Sequence, residues 1–174
     1  MRRKNILRGL LCAAVLLGAA LGCAQEVSAR ETVLIAGNAD LYPIESYDSR
    51  SDSYVGLLPE LYRRVSECTD YDLVYLPYSK NTTQAQQAEN RQADIISAFP
   101  AGTVDSAYLR RSELFCSLPA SGKLQKICIG FASALPEAQA EEIARALDDI
   151  GAAERLGILA VSVKDGGASL YRTR

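Results

Sequence analysis

Asp40, Tyr42 and Tyr47 fall within one short stretch, VLIAGNADLYPIESYD at positions 33 to 48, and Ser97 and Phe99 close another, ADIISAF at 93 to 99. A carboxylate accepts hydrogen bonds from an ammonium group, phenol rings stack on small solutes, and a hydroxyl donates to them. That is the chemistry of holding a polar guest rather than transforming it. Each residue also has a structural reading. Asp40 beside Asn38 suits a turn that bonds its own backbone, Tyr42 and Tyr47 suit the cover of a sheet edge, and Phe99 suits a core plug. Catalysis has little to build on. The chain has no histidine, which removes Ser-His-Asp and Cys-His nucleophiles and most zinc sites. Asp40 with Glu45 or Asp105 offers no defined carboxylate separation for acid-base work. No enzyme, cofactor or metal is expected.

The elements that must position these residues alternate. Val33 to Gly37 is a continuous apolar run of the kind found in strands covered on both faces. From Gly56 the pattern changes: Leu57, Leu58, Leu61, Tyr62 and Val65 share one helical face, with Glu60, Arg63, Arg64 and Glu67 on the other. Asp72 to Tyr78 predicts a second strand, limited by Pro77. Asn81 or Thr82 then caps a short, mostly solvated helix, and ADIISAF predicts the third strand. After a polar stretch, Lys126 to Phe131 reads as another strand. A helix follows, with Pro136 in its first turn, Ile143, Leu147 and Ile150 on one face, and Gly151 just past its end. Ile158 to Val163 is a candidate last strand, and 164–174 a loose polar tail. Strands alternating with helices imply an α/β fold, a mostly parallel sheet with flanking helices and right-handed crossovers. Ligands in such sheets collect at the carboxyl ends of the strands, where both quoted stretches lie.

The first 22 residues read as an export signal: Arg2, Arg3, Lys4 and Arg8 precede an apolar core from Leu10 to Leu21 that is shorter than the roughly 20 residues of a membrane span. Gly22 before Cys23 is similar to a lipoprotein cleavage site, with Cys23 as the lipidated residue. The rival is cleavage after Ala29, releasing a secreted soluble protein. Cleavage before Cys23 leaves 152 residues, enough for one core that buries roughly 68 to 70% of its unfolded surface. It also removes four of the 19 basic residues, giving 15 against 21 acidic ones and a net charge of −6, so nucleic acid is not an expected partner. Cys68, Cys116 and Cys128 remain. They form one Cys116–Cys128 disulfide, or serve as three small buried hydrophobes.

Three stretches in this order resemble the bacterial extracellular solute-binding proteins of family three, the polar-amino-acid type. NADLYPIESYD is similar to that family's Asp-x-x-Tyr-Pro-Pro-Phe loop, YVGLLPELYRRV to its Gly-Phe-Asp-x-Asp-Leu helix start through Gly56 and Glu60, and QADIISAF to its Ala-Asp-x-Ile strand. The resemblance covers Val33 to about Leu118. It implies one lobe of a type II periplasmic binding protein over 33–163, after a 23–32 linker. It also implies ligand contacts from Asp40, Tyr42, Tyr47, Ser97 and Phe99. The implied role is to bind a small polar solute for an ABC-type transporter permease or a membrane sensor receptor, at the cell envelope. A lobe kept as an interaction or scaffold lipoprotein, its cleft filled by Tyr42 and Phe99, is the alternative.

Two departures qualify what the resemblance implies. The arginine that grips the ligand carboxylate in that family falls near Asp105 here, and Arg110 and Arg111 come later, where paired arginines suit a solvated face. A free amino acid is therefore a doubtful ligand. The remaining length does not supply two lobes of roughly 100 residues each, so the second lobe is expected to be largely missing.

Overall fold

The computed structural model describes residues 29–120 and 123–171. The signal segment, Cys23 and residues 23–28 of the linker lie outside the described residues.

A five-stranded sheet has the order β5-β1-β6-β8-β7. Its parallel centre is β1 (Glu31–Ala36) between β5 (Tyr71–Tyr75) and β6 (Ile95–Pro100). β8 (Lys123–Ala132) runs antiparallel to β6, and β7 (Leu109–Ala120) antiparallel to β8. Four of the five strands therefore point the same way. Alternation sorts neighbours between two cores: Ile95 packs with Val33, Ile35, Ile127 and Phe131 on one face, Ile96 with Ala36, Phe99 and Cys128 on the other. Helices α1 (Leu57–Cys68), α3 (Glu137–Asp149) and α4 (Ala152–Tyr171) cover the first face through Leu58, Leu61, Ile143, Leu147 and Ile158. Ala88 of α2 (Gln84–Glu89) covers the second. This is a mixed α/β fold with flanking helices.

A second sheet of three short antiparallel strands, β2 (Asp40–Leu41), β3 (Glu45–Asp48) and β4 (Ser53–Val55), fills the span between β1 and α1 that reads from sequence as a loop. Its anchor is the start of α1. Gly56 has φ 127°, and a Cβ there would come within 2.8 Å of the Pro43 and Ile44 carbonyl oxygens. Those same carbonyls accept from the first helical amides, Leu57 N at 3.1 Å and Leu58 N at 2.9 Å. Loop carbonyls thus replace the side-chain cap this helix lacks.

Four expectations are corrected. The α2 cap is Thr83, which accepts from Gln86 N while Gln86 reaches back to Thr83 N, a reciprocal box neither Asn81 nor Thr82 provides. The stretch before Lys126 is a 12-residue strand, β7. Its charges and Pro119 are tolerable because it is the sheet edge. Ile158 to Val163 is helical, part of a helix that runs on to Tyr171. A short apolar run carries no period to separate the two states, and Arg155 ties this segment to the end of α3 by donating to the Ile150 and Leu147 carbonyls. Finally, Cys68, Cys116 and Cys128 are free. Cys116 pairs with Ile127 and packs on the first core while Cys128 belongs to the second, so the two sit on opposite faces of the β7–β8 ribbon.

Candidate ligand-binding site

The loop after β1 is drawn tight by its own polar groups. The Asn38 side chain donates to the Ala98 carbonyl at 2.8 Å and accepts from Asp40 N at 3.0 Å, linking the tips of β1 and β6. Ala98 has φ 46°, and the β6–β8 pairing shifts register between Ile96 and Phe99, so the strand kinks where it ends. Asp40 is exposed and pairs with Ser46 across the β2–β3 ladder. Tyr42 is 41% exposed. Its hydroxyl donates to the Ser162 and Val163 carbonyls of α4, at 3.3 and 3.2 Å. Tyr47 stacks on Tyr78 with ring centroids 4.2 Å apart, and donates to Asp52 at 2.5 Å, which pushes its own hydroxyl pKa up.

Tyr42 and Tyr47 line one cavity of about 1140 Å³ between the β2–β4 sheet, α1 and α4. Its charged lining is Asp48, Glu60, Arg63, Arg64 and Glu154. Glu60 serves the helix rather than the open space: it accepts from Arg63, which holds its carboxyl below the usual range, and it faces Arg64 as well. Arg64 also pairs with Glu154, clamping α1 to α4. Its Nε, 3.5 Å from Glu60 Oε1, is a buried donor without hydrogen-bond geometry to any described residue.

Ser97 and Phe99 lie elsewhere. Phe99 is 3% exposed within the second core, and Ser97 has no exposed surface. Ser97 belongs to a buried network around Glu45, a residue that sequence reasoning weighed only as a partner in acid-base work. Glu45 Oε1 accepts from Ser97 Oγ at 2.7 Å and from the Tyr75 hydroxyl, and Oε2 accepts from Asn38 N at 2.5 Å. The Tyr62 hydroxyl donates to Ser97 Oγ at 3.2 Å. Removal from water pushes the Glu45 carboxyl up to about 7 against these three hydrogen bonds, each of which lowers it. Burial likewise drives Tyr62 and Tyr75 up, with the Glu45 charge adding to it. The network welds the β2–β4 sheet to the tips of β5 and β6, fixing where Tyr42 and Tyr47 stand.

The three basic or acidic residues weighed near the third strand have other work. Asp105 caps a short 3-10 turn by accepting from Ala107 N at 2.9 Å. Arg110 donates to the Leu135 and Ser133 carbonyls and pairs with Glu137. Arg111 pairs with Glu113 and lies over the Phe131 ring. Both arginines are thus engaged by groups of this chain. Among the described residues no cluster of potential metal ligands occurs, and no helix is long and apolar enough to cross a membrane.

No described protein family matches the chain, and no curated protein matches it. Solved structures do. The arginine-bound form of domain 1 from TmArgBP is 17% identical with a TM-score of 0.54, over 71% of this chain and 97% of that one. The Salmonella typhimurium periplasmic binding protein STM4351, described for high arginine specificity, is 9% identical at 0.56, over 78% and 98%. An ancestral cationic amino acid solute-binding protein is 8% identical at 0.55, over 78% and 95%. At such identities the likeness speaks for the fold. The chain has the mixed α/β architecture of a periplasmic binding protein lobe.

Proposed function

We propose that the chain is an exported, non-enzymatic solute-binding-like lobe, held at the cell envelope through a lipid on Cys23. It takes a small polar solute for an ABC-type permease or a membrane sensor receptor. The observation that carries this reading is the cavity of about 1140 Å³ on which Tyr42 and Tyr47 converge, in a fold whose neighbours bind arginine and cationic amino acids. Tyr42 and Tyr47 supply stacking surface, Asp40 stands at the exposed rim, and Arg64 Nε offers a donor. Ser97 acts from behind, through Glu45, and Phe99 through the packing of the strand tip. One lobe leaves the solute open on one side, so affinity is weak until the membrane partner covers it.

The test is a panel of polar metabolites, amino acids included, titrated into the purified full-length chain and read by thermal shift and calorimetry. A saturable stabilisation that Tyr42→Ala or Tyr47→Ala abolishes supports the proposal. No shift at millimolar concentrations overturns it.

A second reading, an interaction lipoprotein that keeps the fold without a small ligand, draws on the Tyr42 bond to α4 and on the enclosure of Phe99. It expects the metabolite panel to be silent.

A further inference from the structure

Five of the nine tyrosines, Tyr47, Tyr54, Tyr62, Tyr75 and Tyr78, line a second cavity of about 500 Å³. It opens between the β3–β4 hairpin, α1 and the exit of β5, beside rather than at the tips of β1 and β6. The volume lies within the roughly 300 to 1,000 Å³ of small-molecule sites. Four of the five tyrosines are only partly buried as residues.

The rings are held before any ligand arrives. Tyr47 stacks on Tyr78, Tyr54 stacks on Tyr75 at 4.6 Å and 20°, and the two stacks meet edge to face at 5.7 Å between Tyr47 and Tyr54. Gly37 makes room for this: a Cβ there would fall 2.5 Å from the Tyr54 ring. Such preorganisation lowers the entropy that binding must overcome.

The charge of the lining selects the guest. Asp52 and Asp72 contribute carboxylates, and the one cation among the described lining residues, Arg63, is engaged by Glu60 and Glu67. Aromatic faces carry negative potential and attract cations. Phenol rings with two carboxylates and no uncommitted guanidinium repel an anion and leave a ligand carboxylate without a grip. We infer that this tyrosine-walled cavity binds a small organic cation lacking a carboxylate, of the quaternary ammonium or guanidinium class. It is a second site that adjoins the larger cavity, sharing Tyr47, Tyr54, Pro59 and Arg63 with it but not Tyr42.

The probes are choline and its neutral isostere 3,3-dimethylbutan-1-ol, titrated into the full-length chain. The chain has no tryptophan, so its ultraviolet emission reports on tyrosine, and calorimetry gives the affinity. Choline is expected to saturate and the neutral alcohol to bind at least several-fold more weakly. Tyr78→Leu, at a residue that lines this cavity and not the larger one, is expected to weaken choline roughly tenfold, the scale of a desolvated cation–π contact. Asp72→Asn, exposed on the β5 edge, preserves the fold if Tyr78→Leu does not, and is expected to weaken choline several-fold. Tyr42→Ala is expected to leave choline unchanged. Equal binding of the two probes, no saturable binding of choline, or indifference to both Tyr78→Leu and Asp72→Asn overturns the inference. Sensitivity to Tyr42→Ala alone would move the site to the larger cavity and overturn it too. A silent metabolite panel with choline still bound sinks the proposed function and leaves this site standing.

Discussion

Glu45→Gln is the substitution with the largest calculable consequence. Glu45 has no exposed surface, and its folded carboxyl sits at about 7 against an ordinary value of 4.5. Between those two pH values the folded protein holds a proton that the unfolded chain has released. Stability therefore falls as pH rises through that window, and is flat above it. At about 1.4 kcal/mol per unit, a shift of this size corresponds to roughly 3 kcal/mol lost between pH 4.5 and 7. Gln is a close mimic of the protonated acid: its oxygen can accept from Asn38 N, and the Tyr75 and Ser97 hydroxyls can turn to accept from its amide. Glu45→Gln is thus expected to match the parent near pH 4.5 and to exceed it by about 3 kcal/mol at pH 8. Urea denaturation of both proteins across pH 4.5 to 8 measures this, and the difference between them cancels the other carboxylates. A difference that stays constant with pH, or that favours the parent at pH 8, refutes the reasoning.

Three further outcomes are expected. Gly56→Ala must place a Cβ at φ 127° within 2.8 Å of two carbonyl oxygens, and is expected to cost more than about 2 kcal/mol in a denaturant titration. Tyr42→Phe removes the hydroxyl bonded to α4. It should cost about 1 kcal/mol or less and speed hydrogen exchange in α4 more than in α1, and equal protection in both helices argues that the bond holds nothing. Cys23→Ser, expressed in a bacterium that lipidates exported proteins, should move the chain from the membrane fraction to the soluble one, with the mass of the mature parent showing an added diacylglycerol and acyl group. An unmodified chain beginning after Ala29 would favour secretion instead.

Elements whose burial is one-sided and long enough to show a period are legible in the sequence. The α1 face of Leu57, Leu58, Leu61, Tyr62 and Val65 is buried as the 3.6-residue spacing requires, and α3 buries Ile143 and Leu147 likewise. The apolar cores of β1, β6 and β8 are recovered because both faces of the sheet are covered. The β2–β4 sheet and α4 are not legible, for different reasons. Strands of two to four residues are too short to alternate detectably, and their register is set by contacts of Pro43 and Ile44 with the start of α1. Ile158 to Val163 is apolar without a period, so only its attachment to α3 decides its state.

Glu45 is a buried residue whose surroundings are set far away in the sequence. A carboxylate in a polar stretch reads as solvated, because nothing within ten residues announces the hydroxyls that enclose it: Tyr75 and Ser97 arrive from β5 and β6, 30 and 52 positions away. The signal lay in the resemblance. Aligned on Tyr42 and Pro43, the Tyr-Pro-Pro-Phe loop that this stretch resembles puts its phenylalanine at Glu45, which has no exposed surface here. A carboxylate in an aromatic's place must either break the loop or carry its own hydrogen-bond donors into the core. Those donors are Asn38 N, the Tyr75 hydroxyl and the Ser97 hydroxyl, with Tyr62 donating to Ser97 in turn. The result is a polar weld whose strength depends on one proton, directly behind Tyr47 and Tyr54, which line both cavities.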